Sequence, residues 1–475
     1  MRRNYFKILA LSALLLVPCF WHRHIAAGDL ASHMYNAWLA QLIERGQVTG
    51  LWLDSRWNNV LFDLLVSGLG KFFSLQVTEK LAVSVCVLIF FWGAFALVAA
   101  TGKRAPWFLV PLLAMVAYGY TFHMGFFNYY LSLGLSFSGI ALFWRGKKWE
   151  RLIPLALAPL IVLAHPLGLA WMAGAIVYIA ATEVIPTRRA ALLLLAALAL
   201  VLIHVDLWRH YEIMAQSQRF YFFNGADQLL LFGPRYDIPR IALICFVIAA
   251  LGIDIYGRIR EREALGPYAI PAQLYIVLIL AAWLLPDAIR FRPGNSAILA
   301  LLTERLTSVS AVVFCCVLGV MRPRWWHLLG FTAIAAIFFT FVYQDTKIAN
   351  NMELQAERLE RTVPRNSRIL ATIKPLESSR ILIQHLADRA CIGYCFSYGN
   401  YEPSSEFRVR AMPGNLYVMS DYDRVVDMED GTYEVQPGDL PAYQLYQCSD
   451  DGTKLCVRPL AAGEENDRLG VHPDD

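Results

Sequence analysis

Asp29 stands in the stretch Gly28-Asp29-Leu30-Ala31-Ser32-His33-Met34-Tyr35-Asn36-Ala37-Trp38-Leu39, directly after an apolar run from Tyr5 to Phe20. A carboxylate placed where a chain leaves a bilayer is costly unless it has work to do. It could take a proton from a hydroxyl nucleophile, or hold a metal that steadies a leaving group. Partial burial would lift its pKa toward a useful range. It could equally cap the helix that the pattern predicts from Leu30, since Asp is a favoured N-cap. His33 follows four residues later on the same helical face, where it could orient Asp29 or contact a phosphate, and Asn36 continues that polar face.

Other candidates lie further along. His123 and Asn128 fall in Tyr120-Thr-Phe-His-Met-Gly-Phe-Phe-Asn-Tyr-Tyr130, and His165 precedes Pro166. Both places read as hairpins between apolar segments. Their side chains could line an acceptor or phosphate pocket, or satisfy backbone at helix ends. Metal sites favour closely spaced histidine pairs, and no H-x3-H occurs, so no metal ligand is assigned; a divalent metal stays open as a cofactor. Arg290 and Arg292 follow Pro286-Asp287. Arginines stabilise a departing phosphate through charge-assisted bonds; the alternative is snorkelling or a pair with Asp287. No phosphate-binding loop, serine-hydrolase elbow or HExxH is present. No basic run interleaved with aromatics suggests nucleic acid.

These residues need elements to hold them. The chain has 475 residues, 57% hydrophobic and 17% charged, against about 45–50% and about 25% in soluble proteins. It reads as a membrane protein. Apolar segments near 5–20, 81–100, 106–121, 129–144, 152–165, 167–184, 190–205, 241–257, 269–285, 306–321 and 327–342 predict about eleven spans. With the N-terminus in the cytoplasm, every compact basic cluster falls inside: Arg2, Arg3 and Lys7; Lys103 and Arg104; Arg145 to Arg151; Arg188 and Arg189; Arg258 to Arg262; Arg322 and Arg324. Counting Val60–Phe73 as a span would reverse that agreement, so it reads as a surface helix in a first outer loop from about 22 to 80. Leu30 onward reads as another, with Met34, Ala37, Trp38 and Ile43 on one side and His33, Asn36, Gln41 and Glu44 on the other.

The expected division is a polytopic membrane domain, 1–342, and an extracytoplasmic soluble domain, 343–475, of α+β or mostly β type. Gln344–Asn366 reads as its linker, helical over Asn350–Arg361 and broken at Pro364. Strands are expected at Arg368–Ile373, Phe407–Arg410 and Leu416–Met419. Cys391, Cys395, Cys448 and Cys456 make an even count in this exported part, which suggests two disulfides. The local pairing is Cys391 with Cys395 and Cys448 with Cys456, and the other two pairings stay open.

The acid after the first apolar helix, the long outer loop with surface helices and the many spans resemble the C-type (GT-C fold) glycosyltransferases, over roughly Met1 to Val342. The resemblance implies a multi-pass protein of a bacterial cytoplasmic membrane. It would transfer a sugar from a polyprenyl-phosphate donor to a glycan, lipid or protein acceptor at the outer face. Asp29 would be the base, His33, Asn36, His123, Asn128 and His165 pocket residues, and Arg290 and Arg292 the phosphate clamp. Many members carry paired acids here, whereas Leu30 follows Asp29. Two other readings stand beside it: a transporter or lipid-binding membrane protein, and a non-catalytic scaffold that keeps Asp29 only as a cap.

Overall fold

The structure is a computed structural model, and it describes residues 2–185, 187, 189–214, 223–290, 298–405 and 407–467. Among these, seven helices are long and apolar enough to cross a membrane: Leu75–Gly102, Pro166–Val184, Arg189–His210, Pro234–Arg260, Gly266–Leu284, Leu302–Gly319 and Trp325–Glu360. The protein is a helical membrane protein with a small sheet-containing C-terminal region. The remaining apolar segments are also helical, but shorter or more polar. Arg2–Leu15 has 14 residues, Val110–Ala117 has 8 and Ile153–Ala164 has 12. Phe127–Arg145 reaches 19 but carries Asn128, Ser132, Ser136 and Ser138.

The chain forms two compact units, one of residues 1–84, 123–127 and 342–475, the other of 85–122 and 128–341. The first outer loop was expected to belong with the membrane helices; it shares a unit with the C-terminal region instead. Two features draw it there. Leu51–Leu53 pairs antiparallel with Val409–Ala411, Trp52 opposite Arg410. Tyr35, Leu39, Ala40, Val48 and Leu51 also enter one apolar core with Ile369, Ala387, Phe396 and Leu445. Each large side chain so buried contributes about 1.5–3 kcal/mol.

That burial corrects the surface-helix reading of the helix after Asp29. It spans Leu30–Glu44, and Leu30 to Ala37 are buried on every side, the polar His33 and Asn36 included. Only its last turn reaches solvent. The polar face is covered because it meets other polar side chains of the same unit, described below. The second expected surface helix forms at Leu61–Leu69, followed by exposed Phe72 and Phe73.

The C-terminal sheet has four strands in the order Phe396–Ser397, Arg368–Thr372, Ala442–Gln447, Leu455–Leu460. The first two contacts are parallel and the last is antiparallel. Leu416–Met419 is not a strand. The Asn415 carboxamide folds this segment back, its oxygen accepting from the amides of Tyr417 and Val418 and its nitrogen donating to the carbonyls of Met412 and Val418. Such local bonding competes with strand pairing. The expected linker is likewise helix: no Gly or Pro lies between Gly330 and Pro364, so Trp325–Glu360 runs unbroken for 36 residues. At about 1.5 Å per residue this exceeds a bilayer core of about 30 Å, and the polar half after Val342 lies beyond the apolar segment. Disulfides join Cys391 to Cys395 and Cys448 to Cys456.

The second unit holds most of the apolar helices and a three-stranded antiparallel patch of Glu212–Met214, Ala288–Arg290 and Ile298–Leu299. Asp254 accepts from the Arg258 guanidinium, the Tyr268 hydroxyl and the Arg322 amide, tying three helix ends.

Candidate functional site

The first unit gathers carboxylates and imidazoles around the chain segment that follows the first apolar helix. That segment is fixed by backbone pairing. The amides of Gly28 and Asp29 donate to the carbonyls of His123 and Met124. His123 adds its ring, Nδ1 donating to the Ala26 carbonyl at 2.9 Å, which sets its tautomer. Gly125 permits the close approach. Its φ is +83°, and a Cβ there would lie 2.5 Å from the Asp29 nitrogen. Only glycine adopts that geometry cheaply.

Asp29 sits at the N-cap position of Leu30–Glu44, yet its side chain makes no capping hydrogen bond. Its carboxylate lies 3.9 Å from His385 Nε2, and His385 Nδ1 lies 3.6 Å from Asp388 Oδ2. The result is a carboxylate–imidazole–carboxylate file. His385 stands just before the short helix Leu386–Cys391, which carries Asp388 in its first turn. Tyr401 packs on the imidazole, ring centroids 4.8 Å apart. These separations are slightly longer than hydrogen bonds, a common state of sites without substrate.

A second group adjoins the first. His33 Nδ1 lies 2.7 Å from Asp63 Oδ1 and 3.4 Å from Glu402 Oε1. The Ser32 hydroxyl donates to Asn400 at 3.1 Å, and Asn36 donates to the Ser32 carbonyl and hydroxyl. Asp63 comes from the helix Leu61–Leu69, and Glu402 from a turn after the strand Phe396–Ser397. Thus the polar face of Leu30–Glu44 is buried against partners from two other segments.

Burial divides the protonation states. It opposes charge on His33, but the carboxylates of Asp63, Glu402 and Asp29 win and raise its pKa to about 10. Burial lowers His385 to about 3, with the His33 charge adding to the effect, so His385 is neutral. Burial also raises Asp388 to about 7, against hydroxyl bonds from Ser397 and Ser32. Glu402 is raised by burial, opposed by the charge of His33. Burial and the charges of Asp388, Asp430 and Asp29 raise Glu429 to about 8. The site therefore holds groups that exchange protons near neutrality, as acid–base catalysis needs.

Access is graded. The side chains of His385, Asp388 and Glu402 are 5%, 4% and 3% exposed, whereas Asp29 is 19% exposed. Asp29 is the open end of the file. Asp388 Oδ2, Glu402 Oε1 and Asn400 Nδ2 are buried without a hydrogen bond among the described residues. His33, Asp63 and Glu402 present donor atoms within 4.8 Å of one another and could hold a divalent ion if His33 gave up its proton. As arranged, the imidazolium supplies the positive charge.

The structure brings Asp29, His33, Asn36 and His123 together in the first unit. Asn128, His165 and Arg290 belong to the second unit. His165 caps Pro166–Val184, Nδ1 accepting from the Leu167 amide at 3.2 Å, and its ring meets the edge of Tyr129. Arg290 pairs with Glu212 at 3.3 Å, not with Asp287. Asn128 is buried near the start of Phe127–Arg145. Arg292 lies outside the described residues. Sequence reasoning missed His385, Asp388 and Glu402 as site residues and used Asp63 only to argue against a span. The available signal was His385-x-x-Asp388, an i, i+3 pair in a region expected to be exported.

Compared with protein-family models, curated proteins and solved structures, the chain gives no match. Function therefore rests on this geometry and on the resemblance.

Proposed function

We propose that the protein is a membrane glycosyltransferase of the GT-C type, moving a sugar from a polyprenyl-phosphate donor to an acceptor hydroxyl at the extracytoplasmic face. The observation that carries this reading is Asp29: the most open member of a buried carboxylate–imidazole file, at the exit of the first apolar helix. In the reaction Asp29 takes the acceptor proton as the hydroxyl attacks the anomeric carbon from the face opposite the phosphate, giving inversion. Neutral His385 orients Asp29, and Asp388 orients His385 from its other nitrogen. The His33 imidazolium, held by Asp63 and Glu402, offsets part of the negative charge of this crowded site.

The same reading has about eleven spans, a cytoplasmic N-terminus and the first unit's loops and sheet outside the membrane. The basic clusters and the two disulfides support that orientation. Purified protein given radiolabelled polyprenyl-phosphate sugars and membrane extract should transfer label, and Asp29→Asn, equally well folded, should not. Equal transfer by both proteins would remove Asp29 from the chemistry. Transfer by neither across a full donor panel would remove the glycosyltransferase reading.

A further inference from the structure

Glu360 ends the long helix Trp325–Glu360 and is completely buried. Its Oε2 lies 3.3 Å from Cys395 Sγ, and its Oε1 makes no hydrogen bond among the described residues. A buried carboxyl is costly unless paired, yet the hydrogen-bond-range partner described for Glu360 is a disulfide sulfur, a poor acceptor. Burial and the nearby charges of Asp388 and Glu357, opposed by Arg361, push this acid well above the usual carboxyl range, toward its neutral form. Glu360, Cys391 and Cys395 also converge, their donor atoms within 4.8 Å.

We propose that Cys391–Cys395 is a redox-active disulfide with Glu360 as its proton donor, and that reduction loosens the helix carrying Asp388. The co-reactant is a two-electron reductant, a dithiol in the protein's own setting. One thiolate attacks Cys391 Sγ. The sulfur–sulfur bond breaks, its electron pair leaves on Cys395, and the Glu360 proton passes to that sulfur. The second thiol of the reductant then displaces Cys391 as a thiol and closes the reductant's own disulfide. Two electrons come from the dithiol, its two protons end on the two cysteines, and Glu360 is reprotonated. Thiolates of high pKa leave slowly unless protonated, which is the work a neutral acid in contact with the leaving sulfur can do.

Both sulfurs are buried in the apolar core shared with Tyr35, Ala387 and Phe396, and the turn Ile392-Gly393-Tyr394 joins the two cysteines, with Gly393 exposed at φ +74°. The cross-link closes the C-terminal end of Leu386–Cys391, the helix that carries Asp388 and follows His385. A six-residue helix has little stability of its own, so opening this link would release one wall of the candidate site. The other disulfide, Cys448–Cys456, is half-buried, with no carboxyl among the partners described for it. It serves as an internal control.

The inference does not depend on the transfer reaction and is read without it. Full-length protein in lipid nanodiscs would be treated with a water-soluble phosphine between pH 5 and 9. The two disulfides would be followed separately by timed alkylation and mass spectrometry, in wild type and in Glu360→Gln. The phosphine supplies the two electrons and water the oxygen of its oxide. Reduction of Cys391–Cys395 should slow by about tenfold or more in the variant, the lower range of general-acid effects. In wild type it should slow as pH rises through the raised pKa of Glu360; in the variant it should lose that dependence. Cys448–Cys456 should respond equally in both proteins. Hydrogen exchange at Leu386–Cys391 should increase on reduction. Equal rates and equal pH profiles for Cys391–Cys395 in the two proteins would overturn the proposal. So would a wild-type pair that stays oxidised while Cys448–Cys456 is reduced.

Discussion

Asp388 and Arg389 are neighbours on one short buried helix, yet they face opposite kinds of surroundings. The Arg389 guanidinium meets Glu353, Glu79 at 3.3 Å and the Ile25 carbonyl. His24 pairs with Glu357 beside it, and Asn350 accepts from the His24 amide. That cluster sets a guanidinium or imidazole against each carboxylate and pins the segment after the first apolar helix to the polar half of Trp325–Glu360. Asp388 faces a neutral imidazole and two hydroxyls, leaves one oxygen without a hydrogen bond, and shares its surroundings with Asp29, Glu402 and Glu429. A balanced buried cluster holds a fold. An unbalanced one costs stability and persists where chemistry uses it.

The contrast can be broken from either side. Arg389→Gln leaves Glu353 and Glu79 buried without their cation and should cost about 3–5 kcal/mol, read as a large fall in the thermal midpoint of the purified protein. An unchanged midpoint would mean the cluster holds nothing. Gly125→Ala sharpens the other side. A side chain at φ +83° against the Asp29 nitrogen costs about 1–2 kcal/mol in backbone strain and displaces Asp29. Transfer activity should therefore fall further than stability, whereas a loss confined to stability would separate this loop from the chemistry.

The finest test is a pH series on Asp388→Asn. The folded-state pKa of Asp388 is about 7, against about 3.9 in an unfolded chain. The folded protein thus keeps a proton that the unfolded chain releases, and Asp388 lowers stability progressively as pH rises between those values. His385 acts in the opposite sense. Its folded pKa of about 3 lies below about 6.5, so its contribution grows as pH rises through that window. The two nearly cancel in wild type over their shared range. Removing Asp388 removes one of them, so the variant should gain on wild type between about pH 4 and pH 7. A midpoint difference that does not change with pH would show that Asp388 ionises normally.

Much of this fold was legible in the sequence. Long apolar runs named the membrane helices, and Arg368–Thr372 read as a strand because its neighbours alternate with turn signals. Asp29 stood out because a charge at a bilayer exit is expensive. The rest depended on tertiary contacts. The amphipathic face of Leu30–Glu44 pointed to a membrane surface, because no sequence pattern tells lipid and water from the side of another helix. Asp63, His385, Asp388 and Glu402 lie hundreds of residues apart at the extremes, and only strand pairing such as Leu51–Leu53 with Val409–Ala411 brings their segments into one unit. The Asn415 turn was missed because a single carboxamide overrode the β propensity of Tyr417 and Val418.

The central claim is that Asp29 is the base of a sugar transfer. The most direct measurement is the release of polyprenyl phosphate from a purified polyprenyl-phosphate sugar with membrane extract supplying the acceptor, followed by mass spectrometry, in wild type and Asp29→Asn of matched thermal midpoint. The account predicts release by wild type and a loss of at least about 100-fold in the variant, the scale of a missing general base. Release at the same rate by both proteins would contradict it.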